Sequence, residues 1–196
     1  MSTPLDTRGD PDVQLMLEVQ QGSQAAFRQL FEKHAAGVIG FAMQFVKIRA
    51  RAEELAQEVF LQVYRTRERY VPRARFKTWL YRMVTNACLS DLRRPEHRIH
   101  IRPLDPSAGL DDPPAAAEAP GQSSEDIALG RETVERLQDA VARLPAQQRA
   151  ALLLARVNGL SYEEVATTLS CSVSAVKSLI HRATVTLRDR LEEEKV

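Results

Sequence analysis

Apolar side chains return every three or four residues along most of this chain, and that spacing predicts helices. Val13, Leu15, Met16, Leu17 and Val19 precede Gly22, and Asp10-Pro11 supplies an N-cap followed by proline at the first helical position. Ser23 can cap a second helix, whose face runs through Phe27, Leu30, Phe31, His34, Val38, Phe41 and Phe45. Gly37 and Gly40 fall within it, at a bend or a close helix contact. Residues 51–65 predict a third helix, with Leu55, Ala56, Val59, Phe60 and Val63 as its apolar stripe and Glu53, Glu54, Gln57 and Glu58 outside it. The period lapses over 66–75, where Pro72 falls, so a loop is expected there. It resumes through Phe76, Trp79, Leu80, Met83, Val84, Ala87 and Leu92 until Pro95 stops it.

Residues 95–127 hold six of the chain's ten prolines and no apolar period, which reads as a linker. Beyond it Leu129, Val134, Leu137, Val141 and Leu144 carry a helix ending before Pro145, and Ala146–Asn158 a second with Gly159 as C-cap. Ser161-Tyr-Glu-Glu164 is a capping box that opens a third. Ser172 opens a fourth, running to about Leu191. No segment alternates with period two. The expected fold is therefore all-α, with two helical domains joined by a flexible acidic linker. A tail and short helix cover 1–22, the first domain 23–94, the linker 95–127 and the second domain 128–196.

Composition narrows the class. The chain has 196 residues, of which 44% are apolar and 27% charged, enough for real cores in a soluble protein. No apolar run approaches the roughly 20 residues of a membrane span, and the N-terminus lacks a signal-peptide core. The expected setting is the cytoplasm, with no membrane insertion. Cys88 and Cys171 lie inside helical patterns and read as reduced, buried thiols. The net charge of +1 hides an asymmetry. Residues 1–94 carry 15 Lys/Arg against 10 Asp/Glu, residues 95–127 carry 2 against 7, and residues 128–196 carry 10 against 9.

The basic excess concentrates in residues 64–94, with nine Lys/Arg, two acids, and the aromatics Tyr64, Tyr70, Phe76, Trp79 and Tyr81. Cations neutralise phosphates and aromatic faces accept unstacked bases, so this inventory suits opening nucleic acid. A solvated basic helix over core aromatics has the same composition. Catalysis has less support. There is no Gly-rich phosphate loop, metal-ligand cluster or nucleophile motif, and His34, His97, His100 and His181 lack partners in sequence. No cofactor, metal or small-molecule substrate is expected.

Residues 162–181, YEEVATTLSCSVSAVKSLIH, have the spacing of a helix-turn-helix. Val165, Leu169, Cys171, Val176 and Leu179 are apolar, Ala166 is small, and Ser170 stands where glycine is common. The second helix then exposes Ser172, Ser174, Ala175, Lys177, Ser178, His181 and Arg182, short polar and basic groups able to meet base edges and phosphates.

These motifs in this order resemble the extracytoplasmic-function (ECF) sigma factors of bacterial RNA polymerase, minimal two-domain members of the sigma-70 superfamily. AEELAQEVFLQVYR (52–65) resembles the helix that grips the polymerase clamp, FKTWLYRMVTNACLSDLRR (76–94) the promoter-opening helix, and residues 144–191 the C-terminal DNA-reading domain. The resemblance implies that Glu53, Glu54, Gln57 and Glu58, with Val59 and Phe60 as hydrophobic contacts, dock on a coiled coil of the largest catalytic subunit. It implies that the loop 66–75 captures one flipped base of the −10 element, with Arg65, Arg67, Arg69, Tyr70, Arg73 and Arg75 as the groups at hand. Asn86, Ser90, Asp91, Arg93 and Arg94 match the strand-contacting face. Tyr70 is the aromatic expected to meet DNA, while Phe76 and Trp79 are expected in the core and Arg82 in solvent. The helix matching Ser172–Leu187 would read the −35 duplex, and the acidic linker would thread toward the polymerase cleft. The partners implied are RNA polymerase core, promoter DNA and an inhibitory anti-sigma factor. The alternative is a stand-alone helix-turn-helix regulator, which has no need of the basic-aromatic stretch beside an acidic helix.

Overall fold

A computed structural model describes residues 9–94, 133–134 and 136–193. The linker, with His97 and His100, lies outside the described residues, as does the start of the helix expected from Leu129. Every regular element among the described residues is helical. The first half comprises α1 (Pro11–Gln20), α2 (Gln24–Val46), α3 (Arg49–Arg65), a 3-10 turn (Arg67–Arg69) and α4 (Phe76–Asp91). The second comprises α5 (Ala146–Arg156), α6 (Tyr162–Leu169) and α7 (Val173–Glu193), preceded by helical residues over 136–142.

Local chemistry sets the ends of these helices. Asp10 caps α1 by accepting from the Asp12 amide at 3.0 Å, and Ser23 caps α2 by accepting from the Ala26 amide at 3.2 Å. Lys47 then turns the chain in a left-handed conformation, so α3 starts at Arg49, two residues before the apolar period alone suggests. In the second half Gly159 takes φ +67° after α5, and Ser161 and Glu164 close the reciprocal capping box of α6. Ser170 sits in the left-handed region at φ 53°, which is the turn of the helix-turn-helix.

The core of the first half is Met16, Leu30, Val38, Val59, Val63, Phe76, Leu80 and Val84. Two polar ties cross it. Asp12 of α1 accepts from Lys33 Nζ at 2.6 Å and pairs with His34 Nε2 at 2.8 Å, both on α2, which gives His34 a structural partner far away in sequence. Arg51 of α3 reaches Asp91 of α4 at 2.5 Å. That hydrogen bond is the main cause that holds the guanidinium's pKa above its ordinary value, against the opposing effect of burial. The second half packs Leu144, Leu153, Leu154, Val165, Val176, Ile180 and Ala183.

The halves meet where α6 lies on α4. Thr78 Oγ1 donates to Glu164 Oε1 at 2.8 Å, while Glu164 Oε2 accepts from the Ser161 amide at 2.8 Å. Asn158 Nδ2 donates to the Tyr81 hydroxyl at 2.6 Å. A Cβ at residue 37 would stand 3.0 Å from that hydroxyl, so Gly37 marks a close helix contact rather than a bend. Arg149 of α5 is buried across the same seam. It donates to the Gln44 carbonyl at 2.7 Å and to the carbonyls of Ala142 and Leu144, and its guanidinium lies 5.2 Å from the centre of the Phe45 ring. Burial lowers the Arg149 pKa and pushes the Tyr81 phenol up to about 12.

Candidate nucleic-acid and polymerase interface

The outward face of α3 is acidic. Glu54, Gln57 and Glu58 are exposed at spacings of three and four, and Glu53 pairs with Arg49 at 2.9 Å. Arg51 braces Glu54 at 2.8 Å and Glu58 at 3.3 Å while holding Asp91 behind them. Val59 and Phe60, expected as hydrophobic contacts on this face, are instead core residues with 1% and 3% exposure. They belong to the stripe that packs on α2, and their burial removes them from the surface. Leu61 takes that place. It is 53% exposed, seven residues after Glu54 on the same helix face, and lines an apolar groove with Phe27, Phe31 and Tyr64. Its signal in the sequence was an aliphatic residue standing outside the apolar stripe.

The loop after α3 has an inner and an outer side. Arg65, Arg69, Arg73 and Arg75 point outward and are exposed, as is Val71. Arg67 turns back, donating to the Tyr64 carbonyl at 2.8 Å with its guanidinium 4.2 Å above the Tyr64 ring. Tyr70 is the clearest departure from expectation. It is 5% exposed and packs edge-on against Trp79, with ring centres 4.8 Å apart. Burial, reinforced by the charge of Asp10, pushes its phenol up to about 12. An aromatic ring wedged under the loop supports the backbone and offers no face to a base.

Along α4, Arg75, Arg82, Asn86, Ser90 and Arg93 fall on one exposed stripe, with Arg94 beside it. Arg82, expected only in solvent, shares a face with Asn86 one turn on. Half-buried Trp79 stands at the near end of the stripe, while Phe76 is fully buried. Asp91 does not belong to this surface. It is 2% exposed, and its carboxylate is held by both Nε and Nη2 of Arg51. From Arg75 to Asn86 the stripe runs about 16 Å at the helical rise, so loop and helix form one elongated basic and polar track. At the seam end, Arg75 Nη1 lies 3.9 Å from Glu164.

The third surface is on α7. Ser172, Ser174, Lys177, Ser178, His181 and Arg182 are exposed and Ala175 half-buried, while Val176, Ile180 and Ala183 face inward. Ser172 Oγ accepts from the Ala175 amide at 3.1 Å, capping the helix that presents them. Short hydroxyls thus stand at the N-terminal turns, with longer basic chains further on. Among the described residues no three metal-ligating side chains are gathered.

Comparison with known proteins identifies the family. A Sigma-70 region 2 family model covers residues 30–98, and a Sigma-70 region 4 model covers 134–187. RNA polymerase sigma factor CarQ of Myxococcus xanthus is 36% identical over 91% of this chain and 96% of its own length. The RNA polymerase sigma-H factor of Pseudomonas aeruginosa is 32% identical over 89% and 90%. Among solved structures, CnrH in complex with the cytosolic domain of CnrY aligns over 93% of this chain and 97% of its own, with TM-score 0.68 and 22% identity, a likeness of fold. With two sigma-70 regions in order and relatives above 30% identity aligned over most of this chain, this chain belongs to the ECF sigma factors of bacterial RNA polymerase.

Proposed function

We infer that this chain is the promoter-specificity subunit of a bacterial RNA polymerase, bringing the core enzyme to its promoters and assisting their opening. The observation that carries this reading is the coexistence of three separate exposed surfaces on one chain: an acidic helix face, a basic loop-and-helix track and a polar recognition helix. A regulator acting on duplex DNA alone needs only the last. Glu53, Glu54, Gln57 and Glu58 with Leu61 form the proposed polymerase face, an acidic patch continued by an apolar groove. Arg65, Arg69, Arg73, Arg75, Arg82, Asn86, Ser90, Arg93 and Arg94 form the proposed −10 track. Separating a duplex costs a few kcal/mol of stacking per flipped base, which cations along the displaced strand and a fitted pocket offset. Ser172, Ser174, Ala175, Lys177, Ser178, His181 and Arg182 form the proposed −35 reader, where a bidentate basic contact to guanine is worth about 1–3 kcal/mol.

In this reading the chain performs no chemistry of its own; phosphodiester formation belongs to the polymerase. It acts in the cytoplasm, in keeping with the absence, among the described residues, of a helix long and apolar enough to cross a membrane. The Bartonella quintana sigma factor RpoE, solved with the anti-sigma factor NepR, has TM-score 0.62 over 85% of this chain and 96% of its own at 22% identity. We propose an inhibitory protein partner of that kind here as well. Run-off transcription tests the reading. The chain with core polymerase is expected to start discrete transcripts from a bacterial genomic library, and reversing Glu54 and Glu58 to lysine is expected to abolish them together with co-purification. A library from which no promoter yields a transcript overturns it.

A further inference from the structure

Helix α1 with its N-cap touches the loop 66–75 at one end and the residue that follows the loop at the other. Its last residue, Gln20, spends its side-chain amide on two backbone carbonyls, those of Glu68 at 3.0 Å and Tyr70 at 3.3 Å. These carbonyls bracket Arg69. At the other end, Asp10 Oδ2 accepts from the Phe76 amide at 3.1 Å, while its Oδ1 caps α1 itself. One carboxylate thus serves the first turns of both α1 and α4, and α4 begins where the loop ends.

We propose that α1 is a strut that holds the strand-capturing loop in its working shape, with Gln20 as a positioning residue for promoter opening; this rests on the reading of residues 66–75 as the loop that takes a flipped base. The strut is itself anchored in the core. Val13, Met16 and Val19 are at most 1% exposed, and Asp12 is held by Lys33 and His34. The loop's own backbone bonds, the Arg69 amide to the Thr66 carbonyl at 3.0 Å, the Tyr70 amide to the Arg67 carbonyl at 3.1 Å and the Arg73 amide to the Val71 carbonyl at 2.8 Å, each span three residues or fewer and do not tie it to the rest of the fold. Ordering a backbone residue costs about 1–2 kcal/mol, so a loop left to order on contact with DNA binds more weakly than one already ordered. Gln20 above and the Tyr70 ring below pin the same short segment, leaving Arg69, Val71 and Arg73 facing outward.

The test uses holoenzyme assembled from core polymerase and the full chain. The probe is a single-stranded oligonucleotide selected by that holoenzyme from a randomised pool, with an abasic site then placed at each position in turn. The unmodified chain is expected to show one position where loss of the base weakens binding about tenfold. Gln20→Ala is expected to weaken the intact strand severalfold and to reduce that abasic penalty to about twofold or less, because the pocket no longer waits preformed. Gln20→Glu keeps the length of the side chain but has no N–H, and the same result is expected from it. Helical circular dichroism and core binding are expected to stay unchanged, since the two bonds lost join a side chain to the loop and neither lies within a helix. Both variants retaining the full abasic penalty overturns the inference, whether or not overall affinity falls. An unmodified chain with no abasic-sensitive position removes instead the reading of the loop on which the inference stands.

Discussion

One turn of α4 carries a buried thiol and a buried carboxylate, Cys88 and Asp91, with 0% and 2% exposure. Burial first, and the Asp91 charge second, push the Cys88 thiol up to about 12 from an ordinary value near 9. The unfolded chain therefore releases this proton before the folded one does. The stability it contributes is whole below about pH 9 and is lost as pH rises toward 12, at up to about 1.4 kcal/mol per pH unit. Urea unfolding between about pH 9.5 and 10.5 is expected to lose about 1 kcal/mol more in the unmodified chain than in Cys88→Ala. Equal losses would contradict the account. The same turn shows why single residues were hard to place from sequence. Asp91 lies among polar residues that look like one surface, and its pairing with Arg51, forty positions earlier, draws it inward. Tyr70 sits in a stretch with no period, so nothing local distinguishes the side under the loop from the side over it.

At the scale of elements the local signals were legible because their causes are local. The N-caps at Asp10 and Ser23, the left-handed Gly159 and the capping box at Ser161 each involve neighbours within a few residues. The apolar stripe of α3 was equally readable, and Val59 and Phe60 follow it inward as the period demands. Assigning them to the surface set a family role against that period, and the period prevailed. What periodicity does not carry is the reach of one element to another, such as Gln20 to the loop or Glu164 to Thr78. Glu164 makes the capping box of α6 more than a local device. Ser161→Ala is expected to cost about 1 kcal/mol in equilibrium unfolding, with α6 still formed because Thr78 continues to hold the Glu164 carboxylate. A loss well above 2 kcal/mol would mean that the cap alone maintains this helix.

In the whole molecule, the seam between halves decides how far apart the two proposed DNA-facing surfaces lie. With α6 seated on α4, α7 with its proposed −35 reader is one helix removed from the proposed −10 track, within roughly 20 Å at ordinary helix spacings. Elements centred near −35 and −10 are some 25 base pairs apart, about 85 Å along B-form DNA. Engaging both requires the seam to part. Thr78→Val combined with Asn158→Ala removes two of its hydrogen bonds. The doubly substituted chain is expected to show lower energy transfer between dyes placed on α3 and α7, with unchanged helical content; the unmodified chain is expected to show the same fall on binding promoter with core polymerase. Transfer that stays high in both cases would contradict this account of the seam.

The partners chosen by Arg149 have a consequence for ionic strength. Its buried guanidinium donates to the uncharged carbonyls of Gln44, Ala142 and Leu144 and lies over the Phe45 ring, and Asn158 and Tyr81 bond as neutral groups. The ion pairs across the halves, Lys47 with Asp139 at 3.3 Å and Arg75 with Glu164 at 3.9 Å, each involve an exposed cation that salt screens. The DNA track and the acidic face of α3 are the reverse, charged and open to solvent. Raising salt is therefore expected to strip this protein of nucleic acid and polymerase through the proposed surfaces while leaving its two halves together, so in concentrated salt the chain is expected to withdraw to the closed form instead of falling apart.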